Sequence, residues 1–403
     1  MSQVRDRVTA PLPRGRTVGV AAAAGLAAAM GVGRFVFTPL LPIMTASAGI
    51  SAGDGALIAT GNYAGYLVGA LLLARRPRLG TRAAFLTWSL LLVASEVAMA
   101  ATTEVWVQAG LRFTAGAASA AIFIACAATV ARHRSVGAAP GVAFAGVGVG
   151  IAGSGIYTLL AAPHLSWQGL WIGSAILTAV LLVPALVLDI RPDTPRADPP
   201  GTRTGNPAER RAWKLLLGSY FAEGVGYIIV GTFLVAAVAG SGSSSAGALV
   251  WTIVGLAAAV STVVWHAVAR RIGTGPALVA ALLVQAGGIA AAAISSSFVA
   301  ALVAAVAFGA TFMAVVVLTL ECARRLHIAQ AAAVLTTAYA TGQVIGPLIV
   351  IPVVGSSFTT SFAIAAVIIT LAAAAAAAAT RRHVLESTRT APNNPELRGV
   401  TAA

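Results

Sequence analysis

Three ionisable side chains lie deep inside apolar stretches of the sequence: Arg34, Arg112 and Glu223. A charge near the centre of a hydrocarbon layer costs at least about 2.5–3.5 kcal/mol on insertion scales, so it must face water, a ligand or a partner. Measured along an ideal helix from the basic end of its own run, Arg34 lies roughly 24 Å in and Arg112 roughly 28 Å in. The two guanidinium groups therefore stand at similar depth. Either could attract an anionic or polar group, and either could instead brace helices through backbone carbonyls. Glu223 lies roughly 15 Å into its run. Burial disfavours an ionised carboxyl and a nearby guanidinium favours it, so a group under both influences can exchange a proton as its surroundings change. The static alternative is a fixed Glu–Arg pair.

Neutral polar residues accompany these three. Asn62 and Tyr66 share a helix face, as do Gln108 and Arg112, and Tyr227 follows Glu223 by one turn. With Gln343 they form a set expected to line a central cavity. The remaining acids read as peripheral. Glu96 stands near the end of its run and is expected to snorkel to the interface. Glu321 is expected to pair with Arg324 or Arg325, and Asp54 and Glu104 to open helices, whose N-termini favour anions. Cys126 and Cys322 fall in apolar runs and read as small hydrophobes rather than a disulfide or metal site.

The stretch Gly146-Val-Gly-Val-Gly-Ile-Ala-Gly-Ser-Gly155 contains a literal G-x-G-x-x-G. No strand precedes it and no acidic residue follows at the required distance, so a dinucleotide site is excluded. Gly146, Gly150 and Gly153 instead suit close helix approach. Pro39, Pro42 and the Gly346-Pro347 pair are expected hinges or kinks. No G-x-x-x-x-G-K-[ST] or H-E-x-x-H occurs, and Ala152 stands where an intramembrane serine protease would need glycine. The chain is not read as an enzyme, and no metal or cofactor is implied.

The elements that must carry these residues follow from composition. Of 403 residues, 58% are hydrophobic and 9% charged, against about 25% charged in a soluble protein. Such a chain cannot cover a water-facing surface. Twelve runs are long enough to cross a bilayer, six between 17 and 189 and six between 213 and 380. Apart from Arg34 and Arg112, all of the 26 Lys and Arg residues fall on alternate loops of this twelve-span arrangement. The positive-inside rule makes that side cytoplasmic, with both termini inside an inner, cytoplasmic membrane. The net charge of +14 does not point to nucleic acid, because the basic residues are scattered in small groups between apolar runs with no aromatic-interleaved face.

Residues 31–41 and 224–234 read Gly-Val-Gly-Arg-Phe-Val-Phe-Thr-Pro-Leu-Leu and Gly-Val-Gly-Tyr-Ile-Ile-Val-Gly-Thr-Phe-Leu. The same offset relates Arg78 to Arg271, Gly116 to Gly309, Arg132 to Arg325 and Gly153 to Gly346. Self-similarity at half the chain length marks a duplicated unit. The expected division is an N-terminal half at 1–189, a cytoplasmic linker with five prolines at 190–212, a C-terminal half at 213–380 and a cytoplasmic tail at 381–403.

Arg112-Phe-Thr-Ala-Gly116 resembles the fourth-helix R-x-x-x-G motif of the major facilitator superfamily, whose arginine is associated with proton coupling. The fifth-helix glycines resemble that superfamily's antiporter motif, with Ser154 where the second half has Pro347. Arg78, Gly80 and Arg82 fit its second-to-third loop motif, with Pro77 in place of the aspartate. Gly31–Pro42, Gly61–Gly69 and Tyr220–Leu234 are similar to the YbfB/YjiJ-type branch. The resemblance implies an all-α membrane protein of twelve transmembrane helices in two six-helix halves related by pseudo-two-fold symmetry. It also implies a secondary active transporter that rocks its halves around a midplane site. The partners expected are a small-molecule substrate, protons and the lipid bilayer, with the chain acting as a monomer. Proton-coupled efflux is the first expectation. Uptake of an organic anion is the alternative, and a non-transporting sensor or scaffold is the rival from another class.

Overall fold

A computed structural model describes residues 15–192, 207–241, 244–326, 331–355 and 357–389. The expectations for 1–14, most of the linker and 390–403 lie outside the described residues. Twelve described helices are long and apolar enough to cross a membrane: α1 (Gly15–Ala48), α2 (Ala52–Arg75), α3 (Arg82–Met99), α4 (Val105–Arg132), α5 (Pro140–Ala161), α6 (Trp167–Val187), α7 (Pro207–Gly240), α8 (Ser245–Ile272), α9 (Thr274–Ile294), α10 (Phe298–Arg324), α11 (Ala331–Val354) and α12 (Phe358–Arg381). Helix α7 begins at Pro207, so the last residues assigned to the linker are its first turns. Helical structure likewise runs past α12 to Arg389, into the segment read as a tail.

Helices that each cross one layer and are joined by short turns must alternate in direction, which gathers the arginine-bearing connections at one end of the bundle, the basic end. The turns at the opposite end are built for tight reversal. Gly49 takes a left-handed φ of 71° after α1, and Ser51 and Asp54 then cap α2 reciprocally, Asp54 N donating to Ser51 Oγ at 3.1 Å and Ser51 N to Asp54 Oδ2 at 3.0 Å.

Helices α1 and α7 are the most enclosed, with 83% and 78% of their apolar windows buried, whereas α3 has 33%. The first two therefore stand at the centre of the bundle. Helix α1 is not continuous. It is α-helical over Gly15–Leu26, widens to a π-helix over Ala27–Val32, turns through 33–36 and restarts at Phe37. The proline rings at 39 and 42 remove two backbone donors, and Gly31 and Gly33 weaken the turn ahead of them. Restarting at Phe37 places Pro39 in a first turn, where a missing N–H costs nothing. The break thus falls ahead of the prolines, not at them. Helix α11 runs unbroken through Pro347 and Pro352.

Lipid offers no hydrophobic drive between helices, so their contacts depend on small residues. The two halves meet where α5 crosses α8 and α2 meets α11. A Cβ built on Gly148 would lie 2.7 Å from Ala259 Cα and 2.7 Å from Gly255 O, and one on Gly255 would lie 2.6 Å from Ala152 Cα. Within the first half, Gly146 and Gly150 lie against Ala23, Ala27 and Gly31 of α1. Gly153 faces open space, with nothing within 4 Å of its added Cβ. Its expected packing role is therefore corrected: the seam between halves runs through Gly148 and Gly155, which stand on a different side of α5.

Candidate functional site

A cavity of about 520 Å³ lies between the halves. It reaches toward the basic end as far as Arg324, whose side chain is 77% exposed. Its inner end is formed by Arg34 of α1 and Gln343 of α11. Twelve residues separate Gln343 from Ala331 at the mouth, which puts the inner end roughly 18 Å deep. The first half contributes Tyr66, Phe123 and Phe144, and the second half Tyr220, Tyr227, Phe312 and Tyr339.

Arg34 is 2% exposed. It occupies the turn between the two parts of α1, where the break in helical pitch turns its side chain toward the cavity. Its Nη2 donates to Gln343 Oε1. Its guanidinium carbon lies 4.1 Å from the ring centre of Tyr66 and 5.2 Å from that of Tyr63. Nε and Nη1 have no partner, and no carboxylate pairs with it among the described residues. The aromatic faces offset part of the charge's burial cost, and the rest is uncompensated.

Arg112 is at the same depth, as its position in the sequence implies, but does not line the cavity. Its Nη1 donates to Gly33 O at 2.8 Å and its Nη2 to Arg34 O at 2.6 Å. The fork of one guanidinium satisfies two carbonyls that the break in α1 leaves without helical donors. Ser119 Oγ adds a third such bond, to Ala29 O at 2.7 Å. Asn62 Nδ2 donates to Arg112 O at 3.1 Å, tying α2 to α4, and Gln108 Nε2 donates to Thr102 O at 2.6 Å, closing the α3–α4 turn. Asn62 and Gln108 therefore do structural work outside the cavity, contrary to the expectation for the set.

Glu223 is fully buried and does not line the cavity. Gln285 Nε2 of α9 donates to its Oε1 at 3.4 Å, and its Oε2 has no partner. The fixed Glu–Arg pair, the static alternative, is not formed among the described residues. Tyr339, which does line the cavity, supplies the neighbouring hydroxyl. The buried acid that sits near an arginine is Glu96. It is fully buried, both its oxygens lack partners, and the polar groups around it are Thr178 of α6 and Arg112. Snorkelling is thus corrected: depth along α3 would permit it, but the side chain points into the bundle. Glu321 bonds Arg324 at 3.0 Å, the ion pair its spacing predicts.

Four of the eight polar candidates therefore come together at the cavity: Arg34, Tyr66, Tyr227 and Gln343. The sequence reading missed the aromatic walls, Gln285, and the seal beyond Arg34. In that seal Thr38 Oγ1 donates to Gly231 O at 2.8 Å, Tyr63 and Thr232 share a hydroxyl–hydroxyl bond at 3.0 Å, and Phe35 meets Trp251 edge to face at 6.2 Å. Thr38 and Gly231 are equivalent positions of the internal repeat, so the seal lies where the two halves' copies of one segment face each other. Past it, a second depression opens at the other end of the bundle, lined by Leu41, Pro42, Ala236 and Gly240 among others.

Twelve spans in two similar halves, enclosing a cavity accessible from one end and sealed from the other, define a membrane transporter of the major facilitator fold. The chain belongs to the family described as "Uncharacterised MFS-type transporter YbfB", which matches residues 26–380. Among solved structures, the nucleoside transporter NupG (D323A mutant) superposes with a TM-score of 0.69 at 13% identity, over 90% of this chain and 99% of that one. A bacterial homolog to the human lysosomal transporter Spinster, inward-facing and unoccupied, gives 0.66 at 17% identity, over 94% and 99%. At those identities the likeness is one of fold. No protein of curated function matches the sequence.

Proposed function

We propose that the chain is a secondary active transporter that exports a small organic solute through the central cavity by alternating access, driven by a proton gradient. The basic end is read as cytoplasmic, with both termini inside and the chain working as a monomer in the inner membrane. The halves are taken to divide within residues 190–212. The observation that carries the reading is the single-ended cavity: access from the basic end, a hydrogen-bonded seal at α1 and α7, and a separate depression beyond it. Rocking the halves along the glycine seam of α5 and α8 would exchange the open end for the closed one. Glu223 would carry the proton, with Tyr339 linking it to the cavity.

Inward transport of an organic anion is the second reading, favoured by the uncompensated charge of Arg34. Flux in proteoliposomes of known orientation separates the two, with acids and amphiphiles offered from each side. Solute-dependent proton flux in wild type and Glu223→Gln tests coupling: an unchanged flux removes Glu223 from that role. A protein that moves no solute from a broad panel would instead be a sensor or scaffold.

A further inference from the structure

The geometry points to the class of cargo: a planar aromatic monoanion, its carboxylate held by Arg34 and its ring system lying between the aromatic walls of the cavity. The inference rests on the cavity being the cargo site and holds for either direction of transport.

The charge balance sets the number of negative groups. Arg34 is buried, two of its nitrogens are unpartnered, and no carboxylate among the described residues pairs with it. A buried guanidinium in this state gains most from an anion that brings hydrogen-bond acceptors with it. The other charges on the lining, Glu321 and Arg324, are paired with each other at the mouth. Among the described lining residues, a second negative group on the cargo would find no further free cation, and a positive group would meet Arg34 with no carboxylate beside it. One negative charge is the number that the lining compensates.

The ring geometry sets the shape. Tyr220 stacks on Tyr339 at 4.5 Å and 16°, Tyr339 on Tyr227 at 5.3 Å and 11°, and Tyr227 on Phe312 at 6.0 Å and 6°. Four rings from three helices are thus held nearly parallel, which flexible apolar side chains would not achieve. Their common plane sets a preferred orientation for one further flat ring, since aromatic pairs favour offset stacking over random contact. Tyr66 shows that the opposite wall already accepts a flat cation, the guanidinium of Arg34, against its face. The cavity's volume is within the range of ordinary small-molecule sites.

A matched series on the purified protein in lipid nanodiscs tests the inference by equilibrium dialysis. The probes are 2-naphthoate, its neutral amide, its fully saturated counterpart, naphthalene-2,6-dicarboxylate and 2-naphthylmethylammonium. The naphthoate should bind at least tenfold tighter than each of the others. In Arg34→Gln the preference for acid over amide should disappear, and in Tyr339→Leu the preference for flat over saturated should shrink while the acid preference stays. An amide or a saturated acid that binds within threefold of naphthoate overturns the proposal without any variant. If no member binds, yet wild type transports some other solute, the cargo class is wrong and the transport reading stands. If nothing is transported at all, both fall.

Discussion

Removing Arg112 should unseat the broken helix rather than silence a charge. Its two nitrogens satisfy Gly33 O and Arg34 O at 2.8 and 2.6 Å in the interior of the bundle. Leaving a buried acceptor unpaired costs about 1–3 kcal/mol, so two carbonyls together cost about 2–6 kcal/mol. Arg112→Met also relieves the penalty of burying a guanidinium, which brings the expected net loss to about 2–4 kcal/mol. Arg112→Lys keeps the charge but not the fork, and an ammonium on this stem reaches one carbonyl well at most. It should lose about half as much, roughly 1–2 kcal/mol. Reversible unfolding in mixed micelles, followed by tryptophan fluorescence, measures both. A lysine variant as stable as wild type would mean that charge alone suffices. A methionine variant that loses less than about 0.5 kcal/mol would mean that the two carbonyls do not depend on Arg112. Either result refutes the bracing argument.

Three further outcomes are expected. Thr38→Val with Tyr63→Phe removes two seal hydrogen bonds worth about 1 kcal/mol each, and should shift the conformational balance roughly thirtyfold toward opening at the far end; a cysteine at Ala340, with Cys126 and Cys322 replaced, should then react more slowly with an impermeant reagent added at the basic end. Gly148→Val should cut solute exchange at least tenfold by forcing α5 from α8, while Gly153→Val, which meets open space, should leave it within twofold; equal effects would deny the seam. A single cysteine at Ser297 should be labelled only from outside intact cells and one at Arg78 only from within, and the reverse pattern would invert the assigned orientation.

The number and order of the spans were legible because they depend on length and total hydropathy, and because arginine sorting is sensitive to a single miscounted helix. Depth was also legible: Arg34 and Arg112 were placed at one level and are in contact through Arg34 O. What the sequence could not supply was the direction in which each side chain points. In a soluble helix the polar face reveals the buried one. Here lipid and protein interior are both apolar, so the stripe is faint. Depth alone therefore sends Glu96 outward although it points inward, and spacing alone does not separate Gly153 from Gly148 and Gly155, which make the contact. Charge alone matches Glu223 with the arginines, although α9 supplies its neighbour, Gln285. The break in α1 was hinted at by Pro39 and Pro42, but its position depends on Arg112 and Ser119 from another helix.

The bond between Thr38 and Gly231 joins two descendants of one ancestral position. Before the duplicated unit was fused, that position would have faced its own twin, and a residue must then suit itself as a neighbour. Two hydroxyls or two bare backbones can meet there, but a donor cannot be assigned to one side only. In the single chain that constraint does not apply: one copy carries a hydroxyl and the other no side chain at all. The closure at the molecule's centre is thus asymmetric in chemistry though nearly symmetric in form, and a substitution at either copy need no longer be answered by its twin.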